Sequence, residues 1–207
     1  MVAFYIQNSK IMVKKYLLVL LFVVYTTYAF ADFWEDAKIT ITYSQNKEYM
    51  LVVYPIKYPN IFITPKHHRL HKNRTPKDTI IPCHAVLYKL LGTDTVEVWN
   101  KLLVNNVSPV EIIVANDGKS VVTFDDWHSR GFQHTMVVYL EYGDLFKDFS
   151  LKEISPFPLE QYYRTISSIH WGSHGKYIDN NRVEVSFHDE KGETRKRVFN
   201  IKQGEFE

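Results

Sequence analysis

A single cysteine in 207 residues, Cys83, excludes a disulfide within the chain, although exported proteins often carry them. Its apolar setting, Ile80-Ile81-Pro82-Cys83-His84-Ala85-Val86-Leu87, marks a buried, inert thiol. A surplus of basic charge is missing too. The formal net charge is +2, and it becomes −1 once Lys10, Lys14 and Lys15 are set aside with the first 31 residues. That balance argues against a dedicated nucleic-acid binder, which normally needs a surplus of Lys and Arg. No long apolar run occurs. Tyr16 to Tyr25 is about ten residues, and a bilayer-spanning helix takes roughly twenty. Catalytic signatures are also lacking: there is no His-Glu-x-x-His, no phosphate-cradling glycine loop and no dinucleotide fingerprint. Ser129 and Ser173 each stand two residues before a glycine. Trp127 and Trp171 occupy the place of the first glycine that a nucleophile elbow requires.

What is present begins with an address. Lys14-Lys15, the short apolar run, Thr26-Thr27-Tyr28 and the small-x-small triplet Ala29-Phe30-Ala31 follow the order of a secretory signal. Residues 1–31 are therefore expected to be a signal peptide, and the mature chain to start at Asp32 in an extracytoplasmic compartment, secreted or periplasmic. Met12-Val13-Lys14-Lys15 makes a more ordinary signal start than Met1. The alternative is an uncleaved signal, prolonged by Phe30 to Trp34, that anchors the protein in the membrane. Removing 31 of 207 residues leaves 176, a length that suits one domain, 32–207.

The mature region reads as strands. Ala37 to Tyr43 alternates apolar and polar residues, and Tyr49 to Tyr54 is a short apolar run with β-branched residues. Val110 to Val114 and Ser120 to Phe124 flank Asn116-Asp117-Gly118-Lys119, whose residues tolerate the positive φ of a tight hairpin. Helix propensity alone favours a helix over Ala85 to Leu91; the repeat pattern predicts a strand there. A short helical turn is expected around Pro158 to Tyr163. Strand–glycine–strand units recur with turn glycines Gly92, Gly143 and Gly192, 51 and 49 residues apart. The pattern Trp-x-Ser-x-Gly appears at Trp127 and again at Trp171. Periods of this length with several short strands each suggest propeller blades.

Ala115-Asn116-Asp117-Gly118-Lys119-Ser120-Val121-Val122-Thr123 resembles the inner hairpin of a blade in quinoprotein-like or WD40-like propellers, and Val137 to Leu151 resembles the outer hairpin. The resemblance covers Val110 to Leu151. It implies an all-β antiparallel fold and no chemistry, since the Trp-Asp dipeptide is absent and no family active site carries over. About twelve strands make three blades, whereas closed propellers typically have four or more. The chain is then an open module, a partial propeller completed by a partner, or a β-sandwich with propeller-like hairpins. Open edges would favour self-association.

Two segments could carry binding chemistry. Asp125, Asp126, Trp127, His128, Arg130 and His134 fall in one loop and could hold an anionic ligand. Asp126, His128 and His134 could hold a metal, the basis of an alternative reading as a metal-dependent enzyme. The plainer reading gives Trp127 the task of plugging the gap between neighbouring sheets, while Asp125 and Asp126 bond backbone N–H groups. The second segment lies in a long loop, 55–78, punctuated by Pro59, Pro65 and Pro76. Its Lys66, His67, His68, Arg69, His71, Lys72 and Arg74 could touch an anionic surface, or form an ordinary solvated loop. Spaced on a helix, His67 and His71 could share a transition metal. Asn73-Arg74-Thr75 and Asn106-Val107-Ser108 fit the N-glycosylation pattern, which matters only in a host with that machinery. The cofactor remains open. The missing motifs and the abundance of Tyr, Phe and Trp point away from an enzyme and toward an exported binding or interaction module. Its partner would be an envelope protein or a glycan.

Overall fold

The structure, a computed structural model, describes residues 34–58 and 80–207, without the side chains of Ser173 and His174. The expected signal peptide and the basic run Lys66 to Arg74 lie outside the described residues. The described residues form one compact unit.

The protein is all-β and antiparallel. Three four-stranded sheets follow one another along the chain, each with its strands in consecutive order. Sheet 1 comprises β1 (Thr40–Tyr43), β2 (Tyr49–Tyr54), β3 (His84–Leu91) and β4 (Asp94–Leu102). Sheet 2 comprises β5 (Pro109–Val114), β6 (Val121–Asp126), β7 (Met136–Tyr139) and β8 (Leu145–Phe149). Sheet 3 comprises β11 (Gly172–Asp179), β12 (Arg182–His188), β13 (Thr194–Asn200) and β14 (Glu205–Phe206). Between sheets 2 and 3 the chain makes one helical turn, α1 (Leu151–Ile154), a 3₁₀ turn (Leu159–Gln161) and a small hairpin of β9 (Tyr163–Arg164) and β10 (Ile169–His170). The 3₁₀ turn falls where Pro158 predicts a helical piece. α1 has no forecast in the sequence reading. It is held by a capping box in which Ser150 and Glu153 satisfy each other's backbone N–H groups.

The sheets stack by their faces, and the period of two in each strand decides which residues meet. Val121 pairs with Tyr139 on one face of sheet 2, while Val122 pairs with Val138 and Phe124 with Met136 on the other. The first set packs with Ile112, Val114 and Val137 against Leu51, Val53, Ala85, Leu87 and Trp99 of sheet 1. The second packs against Val183, Val185, Phe187 and Phe199 of sheet 3, with Leu151 and Ile154 of α1 alongside. Sheet 2 is thus covered on both faces, which explains why every residue of β6 and β7 is buried. The first strands converge: β1 and β11 both lie against β5. β3 is a strand despite its helix propensity, because it pairs with β2 on one side and β4 on the other.

The two outermost faces differ. On sheet 3, Glu184 sits between Lys176 (3.2 Å) and Lys196 (3.0 Å), and these hydrogen bonds hold its carboxyl below the usual range. On sheet 1, the opposite face carries Ile41, Tyr43, Val52, Val86 and Leu102. None of the three sheets closes into a barrel.

The turns follow the glycines, with one departure. Gly92 and Gly143 both join the third and fourth strands of their sheets, but Gly192 joins the second and third strands of sheet 3. The near-equal spacing read from the sequence therefore slips by one strand at its third member. Gly118 has φ +69 in the β5–β6 turn and lies under the Tyr49 ring of sheet 1, so a Cβ there would meet the ring atoms. Gly118→Ala is expected to cost about 2 kcal/mol, from positive φ and overpacking together, read as a lowered urea midpoint at unchanged m-value.

Candidate functional site

The Asp125–His134 segment links β6 to β7 at one end of sheet 2. Its backbone is unusual: Asp125, His128 and His134 have φ of 57°, 71° and 51°, with Gly131 at 75°. Asp and His enter this left-handed region more readily than β-branched residues do. Here side-chain bonds hold Asp125 and His134 in it.

Asp125 is fully buried. Its carboxylate accepts the Trp171 indole N–H (3.0 and 3.1 Å) and the Gly131 backbone N–H (2.7 Å), and it pairs with the Arg130 guanidinium (3.3 Å). Arg130 in turn donates to the Gly172 carbonyl. Burial pushes the Asp125 carboxyl up to about 6, against the opposing pull of the Trp171, Gly131 and Arg130 donors. At neutral pH it is therefore mostly ionised. Asp126, also buried, accepts the backbone N–H groups of Asn106 (3.1 Å), Val107 (3.2 Å) and Ser108 (3.4 Å), fixing the crossing from sheet 1 to sheet 2. Both acids do the backbone work that the plainer sequence reading assigned them.

The side chains named in the metal reading have other partners in the structure. Asp126 spends its carboxylate on three amides. His134 Nδ1 lies 2.9 Å from Asp148 of β8, and His128 is exposed, its ring 5.7 Å from that of Trp34. The structure does not bring Asp126, His128 and His134 together. No group of three metal-ligating side chains occurs among the described residues. Metal analysis is expected to return the same content for the purified protein and for His128→Ala.

The role expected of Trp127 belongs instead to Trp171. The Trp171 indole is fully buried between Phe124 of sheet 2 (6.5 Å) and Phe187 of sheet 3 (5.3 Å). Trp127 is only half-buried. Its indole N–H donates to the Glu35 carbonyl (2.8 Å), and its ring meets Trp34 edge-on at 5.4 Å. Trp34 donates to Ser167 Oγ (3.1 Å) in the turn between β9 and β10. The two Trp-x-Ser-x-Gly motifs are thus alike in letters and different in use.

Three separate segments consequently meet at this end: the approach to β1 (Trp34 to Lys38), the β6–β7 loop and the β9–β10 hairpin. They present planar groups in pairs. Trp34 sits against Trp127 and His128, Arg164 lies over the Phe132 ring (5.8 Å), and Tyr163 tilts against His170 (5.3 Å). A shallow cleft beside Trp127 is lined by Glu35, Lys38, Thr40 and Ser108. The sequence reading found Trp127, His128 and Arg130 but missed Trp34, Phe132, Tyr163 and Arg164. Only the overall aromatic richness hinted at them. Among the described residues no helix is long and apolar enough to cross a membrane.

These features define a class, an all-β antiparallel protein of three face-stacked sheets with an aromatic loop cluster at one end. Comparison with known proteins finds no matching family model, no similar curated protein and no similar solved structure.

Proposed function

We propose that this chain is an exported, non-catalytic binding or interaction module, built of propeller-blade-like sheets, whose binding surface is the loop cluster around Trp34, Trp127 and His128. One observation carries the reading. The buried carboxylates of the β6–β7 loop are committed to structural bonds, while the planar side chains are left half-buried or exposed. Aromatic groups with one wet side are what interfaces and sugar-binding surfaces use. The secretory pattern at the N-terminus supports an extracytoplasmic site of action, with an envelope protein or glycan as the partner. The consecutive four-stranded sheets and converging first strands support the propeller-blade resemblance.

The test is binding of the purified protein to its own envelope extract and to an immobilised glycan panel. Retention is expected, and Trp127→Ala is expected to lose it with little change in melting temperature. A protein that stays monomeric and retains neither protein nor glycan overturns the proposal.

A further inference from the structure

We infer that the β9–β10 hairpin is a docking finger for a protein partner, with Ile166 entering an apolar pocket and Arg164 meeting a carboxylate at its rim. This rests on the binding reading above and names the partner's chemistry.

The hairpin belongs to none of the three stacked sheets. It is nevertheless held firmly at its base. Ile169 donates its backbone N–H to the Arg130 carbonyl (2.9 Å), and the Ile169 side chain sits in the core beside Trp171 and Tyr162. The tip is a four-residue turn, closed by Thr165 N–H to the Ser168 carbonyl (2.8 Å) and Ser168 N–H to Thr165 Oγ1 (3.1 Å). A turn this tight usually places Gly, Pro, Asn, Asp or Ser at its centre. This one places Ser167 there beside Ile166, and Ile166 is 86% exposed. A β-branched apolar residue gains nothing for folding at that position. A single exposed hydrophobe is ordinary on a protein surface. Ile166 is not single, because Tyr163 of the same hairpin is 51% exposed and Phe132 of the facing loop is 45% exposed.

Two considerations select the partner. An aliphatic tip has no flat face to stack on a sugar ring, so Ile166 fits a protein pocket and not a glycan. The hairpin's own charge is of one sign, and the acids of this end, Glu35 and Asp36, stand on the approach to β1, where Glu35 pairs with Lys38 (3.1 Å). Arg164 and His170 are exposed on the hairpin, and no carboxylate occurs between Gln161 and Tyr177. Tyr, Arg and a pocket-filling anchor are the composition of an interface centre, and an acidic rim on the partner complements it.

The test uses a displayed library of random peptides selected on the immobilised purified protein. Peptides combining apolar residues with Asp or Glu are expected to be enriched. Their binding is expected to fall about tenfold or more for Ile166→Asp and for Arg164→Glu. The exposed control Ile178→Asp on β11 should bind as the parent does. Because Ile166 supports no core packing, melting temperatures should be unchanged, and a shifted one is answered with Ile166→Ser. Enriched peptides that ignore positions 164 and 166 but are lost with Trp127→Ala overturn the finger and leave the binding module standing. No enrichment, or peptides lacking acidic residues, also overturns it. So does loss of self-association in the 166 variants, which would make a second copy the occupant.

Discussion

Trp171→Ala is expected to destabilise the protein by about 4 kcal/mol, the range for deleting a fully buried tryptophan. That is a large fraction of the stability of a typical single domain, so much of the variant should be unfolded or degraded at 37 °C. The reason is twofold. The indole fills the space between Phe124 and Phe187, and its N–H is shared by both oxygens of the Asp125 carboxylate. Trp171→Phe separates the two contributions. It restores most of the volume but leaves Asp125 short of a donor, and about 1–3 kcal/mol should remain lost. Trp127→Ala, the same change in the same sequence pattern, should cost about 1 kcal/mol or less, since the Trp127 ring is half-buried and packs only at the loop end. Urea unfolding of the three variants checks the series. Equal losses at 127 and 171 would contradict the assignment of the inter-sheet plug to Trp171.

Asp125→Ala is the second large effect, about 3–5 kcal/mol at neutral pH. It leaves the Trp171 and Gly131 donors without an acceptor and the Arg130 guanidinium without its carboxylate. The pH dependence gives a sharper reading. The carboxyl is raised in the folded protein, to about 6 from an ordinary value of 3.8, so the native state holds a proton that the unfolded chain has already released. Stability from this group is therefore fully present below about pH 4 and is lost as pH rises to about 6, on the order of 3 kcal/mol in all. Acids such as the exposed Glu153 and Asp179 and the half-buried Glu184 are held low by their partners and act in the opposite sense at lower pH. The comparison that isolates Asp125 is with Asp125→Asn, which cannot titrate. Its deficit against the parent should shrink between pH 4 and pH 6.5. A deficit that grows over that range would show the carboxyl to be lowered by Arg130 instead.

Much of the fold was legible in the sequence because strand and turn signals are local. Tyr49 to Tyr54 is a strand with the bounds its apolar run suggests, and Asn116 to Lys119 turns where its residues allow. The all-β antiparallel class follows from the same alternation. What stayed hidden depends on partners distant in sequence. Trp127 and Trp171 share a motif, yet only one meets two sheets, and nothing within five residues of either says which. Asp126 reads as a ligand or a turn acid until the backbone of Asn106 to Ser108 arrives to meet it. The third glycine misled for a related reason. Spacing counts residues, and the segment carrying α1 and the β9–β10 hairpin sits outside the pattern of sheets. Trp34 escaped notice because it precedes β1 and belongs to no strand, its position set by Trp127 and Ser167.

The bond between Trp171 and Asp125 spans 46 residues, and it bears on the order of events during synthesis. When the ribosome has delivered the first two sheets, the segment around His128 still lacks the donor that holds Asp125 in its left-handed backbone. This end of the molecule is thus finished only after Trp171, the residue before β11, emerges. A chain stopped before residue 171 would lack the indole N–H that the Asp125 carboxylate accepts, so truncation there is expected to leave the β6–β7 loop incompletely shaped.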